Sequence, residues 1–227
     1  MARSARHCAD AQAVISEFAE ELFGPIFNKT DKTLSISQLK LYKMTQQQLV
    51  IREWFQTLKL KMPTQAFVER LQSEVISARE DSDPVLSGQG YCVRRYRDKL
   101  FCLKQAAPER VRHSVWPAGQ ASIEVSAHQT LSCVPSLFGI SREQWQNATV
   151  VVKARSGGEK ICLPGRKGHH ALKNLFQEAG IPPWKREAIP LVYLDDQLAA
   201  VGDLWISADF YSDENQDCVS LTLQSEA

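Results

Sequence analysis

Apolar residues in the first third of the chain recur at helical spacing. Ala11, Val14, Ile15, Phe18 and Leu22 fall on one face of a 3.6-residue repeat, and Gly24-Pro25 ends that element by removing first a side chain and then an amide donor. A second stripe, Val50, Ile51, Trp54, Phe55 and Leu58, follows Thr45, whose hydroxyl is a candidate N-cap. Met62-Pro63-Thr64 separates it from a third, Phe67, Leu71 and Val75. Three such stripes predict helices that pack on one another, with Trp54 and Phe55 as core side chains.

Near Asp83-Pro84 the period changes from 3.6 to two. The turn-rich stretch SDPVLSGQG leads into YCVRRYRDKLFCLK, which predicts strands over residues 90–96 and 99–104 joined as a hairpin at Arg97-Asp98. Alternation places Arg95 and Arg97 on one face and Arg94 on the other. Residues 105–148 hold two further strand candidates, ASIEVSA and TLSCVP. From Ala148 onward, TVVVKARSGGEKICL reads as strand, Gly157-Gly158 turn, strand. HHALKNLFQEAG reads as a helix burying Leu172, Leu175, Phe176 and Ala179, stopped by Gly180 and Pro182-Pro183. Two apolar runs around Asp195-Asp196 return the chain to a sheet. This order predicts an α+β fold: an N-terminal helical domain, a β-rich bridge and a small α+β C-terminal domain.

Charge adds what periodicity does not show. The 227 residues carry a formal net charge of +1, yet residues 85–190 hold 16 Lys and Arg against 7 Asp and Glu, and residues 191–227 hold none against 8. A basic middle of this size suits phosphate contacts and equally suits plain solubility, and the acidic end either screens it or covers another face. The 6 cysteines are dispersed, without a CxxC pair or zinc-finger histidines, so a reducing cytoplasm is expected, with neither disulfide framework nor metal site. No apolar run approaches the roughly 20 residues needed to span a bilayer, and the N-terminal stretch is amphipathic, which argues against membrane insertion and secretion.

Motifs that resemble catalytic ones fail on context. RSGGEK has the glycines of a phosphate loop, but a strand resumes at Ile161-Cys162, so Gly157 and Gly158 read as positive-φ turn residues. PGRKGHH lacks P-loop spacing. His169 and His170 are adjacent and diverge by about 100° on a helix, unlike the paired ligands of a metalloprotease, and read as solvated helix-start residues or phosphate donors. No GxSxG elbow is present. No catalytic, cofactor-binding or metal-binding residue is expected. What remains is a basic surface, Arg166, Lys167, Lys173, Lys185 and Arg186, at the two ends of the last helix.

The string KNLFQEAGIPPWKREAIPLVYLDDQLAAVGDLWIS, residues 173–207, resembles the C-terminal domain of the bacterial tRNA(Ile)-lysidine synthase family. GRKGHHALK resembles that family's approach to the same helix, through Gly165, Arg166, Gly168, Leu172 and Lys173. LVIREWF, MPTQAFVERLQSEVISAREDSDPVL and VRRYRDKLFCL are similar to its central substrate-binding region, and RSARHCADAQ to the helix that follows its catalytic domain. The family's N-terminal ATP pyrophosphatase domain, with its SGGxDS loop, has no counterpart here, since Ser156-Gly157-Gly158 is followed by Glu159, Lys160 and Ile161.

The resemblance implies a helical connector at residues 1–33, a central tRNA-binding domain at 34–106, a β-rich bridge at 107–148 and a C-terminal tRNA-binding domain at 149–227. It also implies that the complete enzyme adenylates C2 of the wobble cytidine in a CAU anticodon with ATP and magnesium, and that lysine then displaces AMP. The recoded tRNA reads as isoleucine instead of methionine. On this reading the chain by itself is inactive, its partner is tRNA(Ile) with the CAU anticodon, and lysine and ATP engage only the missing domain. Candidate tRNA contacts are Arg94, Arg95, Arg97, Arg166, Lys167, His169, Lys173, Lys185 and Arg186. A homodimer is left open. A free-standing RNA-binding or regulatory module is the alternative, and an enzyme using His169 or His170 a weaker one.

Overall fold

A computed structural model describes residues 2–79, 82–104, 110–213 and 217–225. The chain divides into two compact units, residues 1–106 and 107–227. The segment 105–109, where the expected boundary between central domain and bridge falls, lies outside the described residues.

In the first unit the helical stripes form as expected, with shifted ends. The first helix runs Ala2–Phe23 and yields to a 3-10 turn at Gly24–Ile26. Among its described side chains, Ala19 and Phe23 near the C-terminal end are buried, whereas Val14, Ile15 and Phe18 are exposed. Tyr42 donates to the Leu22 carbonyl at 3.0 Å and ties that end down. The second helix, Met44–Thr57, starts one residue before the expected cap Thr45. Its first turn is closed instead by the Gln46 side chain accepting from the Lys43 amide at 2.9 Å. Thr64 caps the helix Gln65–Arg70 by accepting from the Phe67 amide at 3.2 Å, and the chain continues through a wider π-type turn at Leu71–Ile76.

These helices pack on an antiparallel sheet ordered Phe27–Asn28, Thr33–Ser35, Lys99–Lys104, Tyr91–Tyr96, Val85–Ser87. The expected hairpin is present, with Tyr91 opposite Lys104 and Tyr96 opposite Lys99. Trp54 and Phe55 are fully buried, and Phe55 meets Phe67 and Tyr91 edge to face. Burying such rings removes the most apolar area per residue, so this cluster contributes a large share of the unit's core.

The second unit holds more strand than expected. One sheet is ordered Trp205–Ile206, Gln197–Val201, Leu191–Leu194, Val150–Lys153, Ser114–Val115; another Tyr211–Ser212, Gly139–Ser141, Cys218–Ser225, Gln129–Ser136, Ser122–Glu124. The strands of 107–148 therefore complete both sheets. Part of the acidic end is itself a strand, Cys218–Ser225, paired along its length with Gln129–Ser136. Val125, Leu131, Ile140, Val152, Val192 and Val219 form one core from both sheets. Gly139 has φ +131, and a Cβ there would run into the Val219 carbonyl, so only glycine allows that approach.

The expected hairpin across Gly157-Gly158 does not form. Val150–Lys153 pairs with Leu191–Leu194 and Ser114–Val115, while Lys160–Cys162 pairs with His169–Ala171 in a separate ribbon. His169 and His170 are thus strand residues, and the helix starts at Leu172 and ends at Glu178. Leu172, Leu175 and Phe176 are buried on its inner face, but Ala179 lies past its end and is exposed.

Candidate nucleic-acid interface

Within the first unit the three hairpin arginines separate into different roles. Arg95 is only 4% exposed. Its Nε donates to the Arg97 carbonyl at 3.2 Å, and one terminal nitrogen donates to the Ala78 carbonyl at 2.6 Å and the Ile76 carbonyl at 3.5 Å. These last two carbonyls lie at the end of the π-type turn, where backbone acceptors lack intrahelical donors and a cation is favoured. Arg95 is a structural strut, which corrects its place among the candidate contacts. It also does not share a face with Arg97, which sits in the turn at φ +54 with its guanidinium 5.5 Å from the Tyr96 ring. Arg94 is half-buried opposite Phe101.

Asp98 completes the turn as a cap. It accepts from the Ser35 hydroxyl at 2.7 Å, the Ser37 hydroxyl at 2.8 Å and the Ser37 amide at 2.7 Å. Desolvation alone would raise its carboxyl, but these bonds and nearby Arg95 hold it below the ordinary aspartate value.

The second unit uses an anion where the first uses a cation. The Glu159 carboxylate accepts from the Ser156 amide at 2.5 Å, the Gly157 amide at 2.7 Å and the Arg155 Nε at 3.2 Å. Gly157 and Gly158 have φ +96 and +85, as expected of positive-φ turn residues. The amides that a phosphate loop would turn toward its ligand here bind the chain's own carboxylate. Burial pushes that carboxyl up, but the backbone donors outweigh it and hold Glu159 below the ordinary glutamate value. Captured this way, residues 155–159 turn the chain out of the sheet, and the Glu159 carbonyl accepts from the Leu172 amide at 3.0 Å, anchoring the helix start.

Around this helix the predicted cations are spread over a surface instead of meeting at a point. Lys167, His169 and Lys173 are exposed. Arg166 is exposed too, but bonds Glu178 at 2.9 Å. Lys185 is exposed, whereas the Arg186 Nε donates to the Ile181 carbonyl at 2.8 Å and closes the loop around Pro182-Pro183. Arg166 lines a cleft of about 480 Å³ with Phe138, Trp205 and Tyr211, and Lys185 one of about 510 Å³ with Trp184. Asp203 and Leu204 belong to the walls of both clefts. His170 is half-buried and its Nε2 has no hydrogen-bond partner. Among the described residues no three His, Cys, Asp or Glu side chains are grouped to hold a metal, and no helix is long and apolar enough to cross a membrane. Sequence reasoning missed the Glu159 seat, whose only signal was a carboxylate directly after Ser-Gly-Gly.

Comparison with known proteins accounts for both units. Residues 34–101 match the TilS substrate binding domain and residues 150–223 the TilS substrate C-terminal domain. The chain is 31% identical over 216 residues to a tRNA(Ile)-lysidine synthase of Methylococcus capsulatus, a match covering 92% of this chain and 48% of that protein. It is 30% identical over 223 residues to one of Salmonella paratyphi A, covering 97% and 50%. It is 31% identical over 233 residues to one of Yersinia pseudotuberculosis, covering 96% and 51%. The chain thus spans about half the length of the curated relatives it matches. A crystal structure described as a TILS C-terminal domain aligns with 50% of this chain and 92% of its own at a TM-score of 0.37 and 20% identity.

Proposed function

The chain belongs to the TilS family, whose substrate-binding and C-terminal domains it carries in that order, and from this premise we propose that it is the tRNA-recognition portion of a tRNA(Ile)-lysidine synthase. The complete enzyme, on this reading, is a cytoplasmic ligase that joins lysine to C2 of the wobble cytidine in the CAU-anticodon isoleucine tRNA. The observation that carries the reading is the presence of both matched domains in one chain, each with outward-facing cations: Arg97 in the first, Lys167, Lys173 and Lys185 in the second.

The physical argument for tRNA is one of shape. An RNA stem offers phosphates and 2′-hydroxyls in a fixed A-form geometry, which cations mounted on sheets and short helices can match without reading bases. Two such units on one chain raise each other's effective concentration at the RNA, provided the tRNA spans both. ATP and magnesium do not fit the described residues: the Ser156-Gly157 amides are filled by Glu159, and no carboxylate cluster is placed for a metal. No step of adenylation or lysine transfer is therefore assigned to this chain.

Binding of the purified chain to the CAU isoleucine tRNA, beside its isolated anticodon stem-loop and an unrelated tRNA across a salt series, tests the reading. Preference for the whole cognate tRNA is expected. Equal weak binding to all three counts against it.

A further inference from the structure

A cleft of about 730 Å³ lies wholly within the second unit and has none of the candidate cations in its lining. One wall is Trp116 and the turn that follows it: the Trp116 Nε1 donates to the Gln120 carbonyl at 3.0 Å, and the Gln120 amide to the Pro117 carbonyl at 3.2 Å. The other is the helix Arg142–Asn147, which contributes Trp145 and Gln146. The two indoles meet edge to face at 5.1 Å and 85°. Trp116 is buried at 4% exposed, and Trp145 is half-buried. Burial raises the Cys133 thiol on the lining to about 11, so at neutral pH it is an uncharged surface.

The polar groups at this cleft have the character needed to recognise a nucleotide. Arg142 is among the lining residues, and its Nε bonds Asp217 at 2.6 Å, which fixes the guanidinium while leaving four further N–H donors on the group. Gln120 and Gln146 bring amides that can both donate and accept. No Asp or Glu is among the lining residues. A cleft of mostly apolar walls with few convergent polar groups is the usual form of a small-ligand site, and an indole face with an arginine beside it is the usual form of a base-stacking site.

We infer that the cleft lined by Trp116 and Trp145 seats one unpaired nucleotide of the bound tRNA, its base against Trp145 and its phosphate toward Arg142. This rests on the tRNA reading above and deepens it, because cations on a surface read a duplex by shape whereas an indole reads a base that is outside a duplex.

Affinities of the chain for the CAU isoleucine tRNA and for a blunt RNA duplex, measured with wild type, Trp145→Ala, Trp145→Phe and Gln146→Glu, test it. Trp145→Ala is expected to weaken tRNA binding about tenfold, as loss of one stacked base does, and Trp145→Phe to restore most of it. Gln146→Glu, an exposed and nearly isosteric change, is expected to weaken tRNA binding without altering the fold by circular dichroism. Duplex binding is expected to be the same in all four proteins. Wild-type affinity for tRNA in both Trp145→Ala and Gln146→Glu overturns the inference while leaving the tRNA reading intact. An equal loss toward the blunt duplex also overturns it. Absence of any tRNA binding by the wild-type chain overturns both.

Discussion

The first unit buries a cation at its chain reversal and the second buries an anion. Arg95 reaches three carbonyls around the hairpin and the π-type turn, and Glu159 gathers the amides of Ser156 and Gly157. In both cases the backbone leaves several groups of one kind pointing inward, and a side chain of opposite polarity satisfies them. A count of charges along a chain is therefore not a map of its contacts. Some of the basic excess in residues 85–190 serves as internal struts, so fewer of these cations are left on the surface than the count implies.

The strongest way to break this comparison is Arg95→Ala. It strips donors from three carbonyls, that of Ile76 buried, and leaves a cavity where the guanidinium was, so a loss of about 2 to 4 kcal/mol is expected. Urea unfolding followed by a first-unit probe such as Trp54 should shift, while second-unit signals hold. A wild-type midpoint would show that water replaces the guanidinium.

Glu159→Gln comes next, at about 1 to 3 kcal/mol, because an amide accepts more weakly than a carboxylate. Its pH signature sharpens the contrast. The folded-state value of Glu159 is depressed, so its contribution is fully present above the ordinary glutamate value of 4.5 and is lost as pH falls from there through the folded value. Glu159→Gln should flatten acid unfolding of the second unit, and Asp98→Asn that of the first, below the ordinary aspartate value of 3.8. If both variants keep the wild-type acid profile, these carboxylates do not set it.

Outward cations should behave the opposite way. Replacing Arg166, Lys167 and Lys173 together by Ala should leave stability within about 0.5 kcal/mol and lower the slope of log K against log salt by about 0.7 to 0.9 for each phosphate no longer neutralised. Lys167 and Lys173 should account for most of it, since Arg166 already bonds Glu178. An unchanged slope removes this surface from the RNA interface.

The smallest effect is expected at the first helix, where Val14→Ser, Ile15→Ser or Phe18→Ser should change the stability of this chain by less than about 0.5 kcal/mol. These side chains are exposed, unlike Ala19 and Phe23 on the same helix. A larger drop in the urea midpoint of any of the three would show that this face is covered.

What could be read in advance follows range of interaction. The stripe Val50, Ile51, Trp54 and Phe55 named a buried helix face, and the alternation around Arg97-Asp98 named a hairpin whose partners are a few residues apart. The family likeness was legible in residues 173–207. Residues 107–148 were the hardest to read, because their strands take partners far along the chain: Gln129–Ser136 pairs with Cys218–Ser225. The candidate RNA-binding residues were legible as a set of cations and not as individuals, since Arg95, Arg97 and Arg186 look alike in a string and differ only in what surrounds them.

By itself, then, the sequence determined the helices of the first unit, the hairpin at Arg97-Asp98, the α+β class and the family, because helical spacing, strand alternation and turn residues act within a few positions of one another. Only the tertiary structure decided that Arg95 points inward, that Glu159 fills the loop resembling a phosphate site, and that the acidic end supplies a sheet strand. Each of these depends on burial and hydrogen-bond partners supplied by the folded backbone around the group, which residue order does not display.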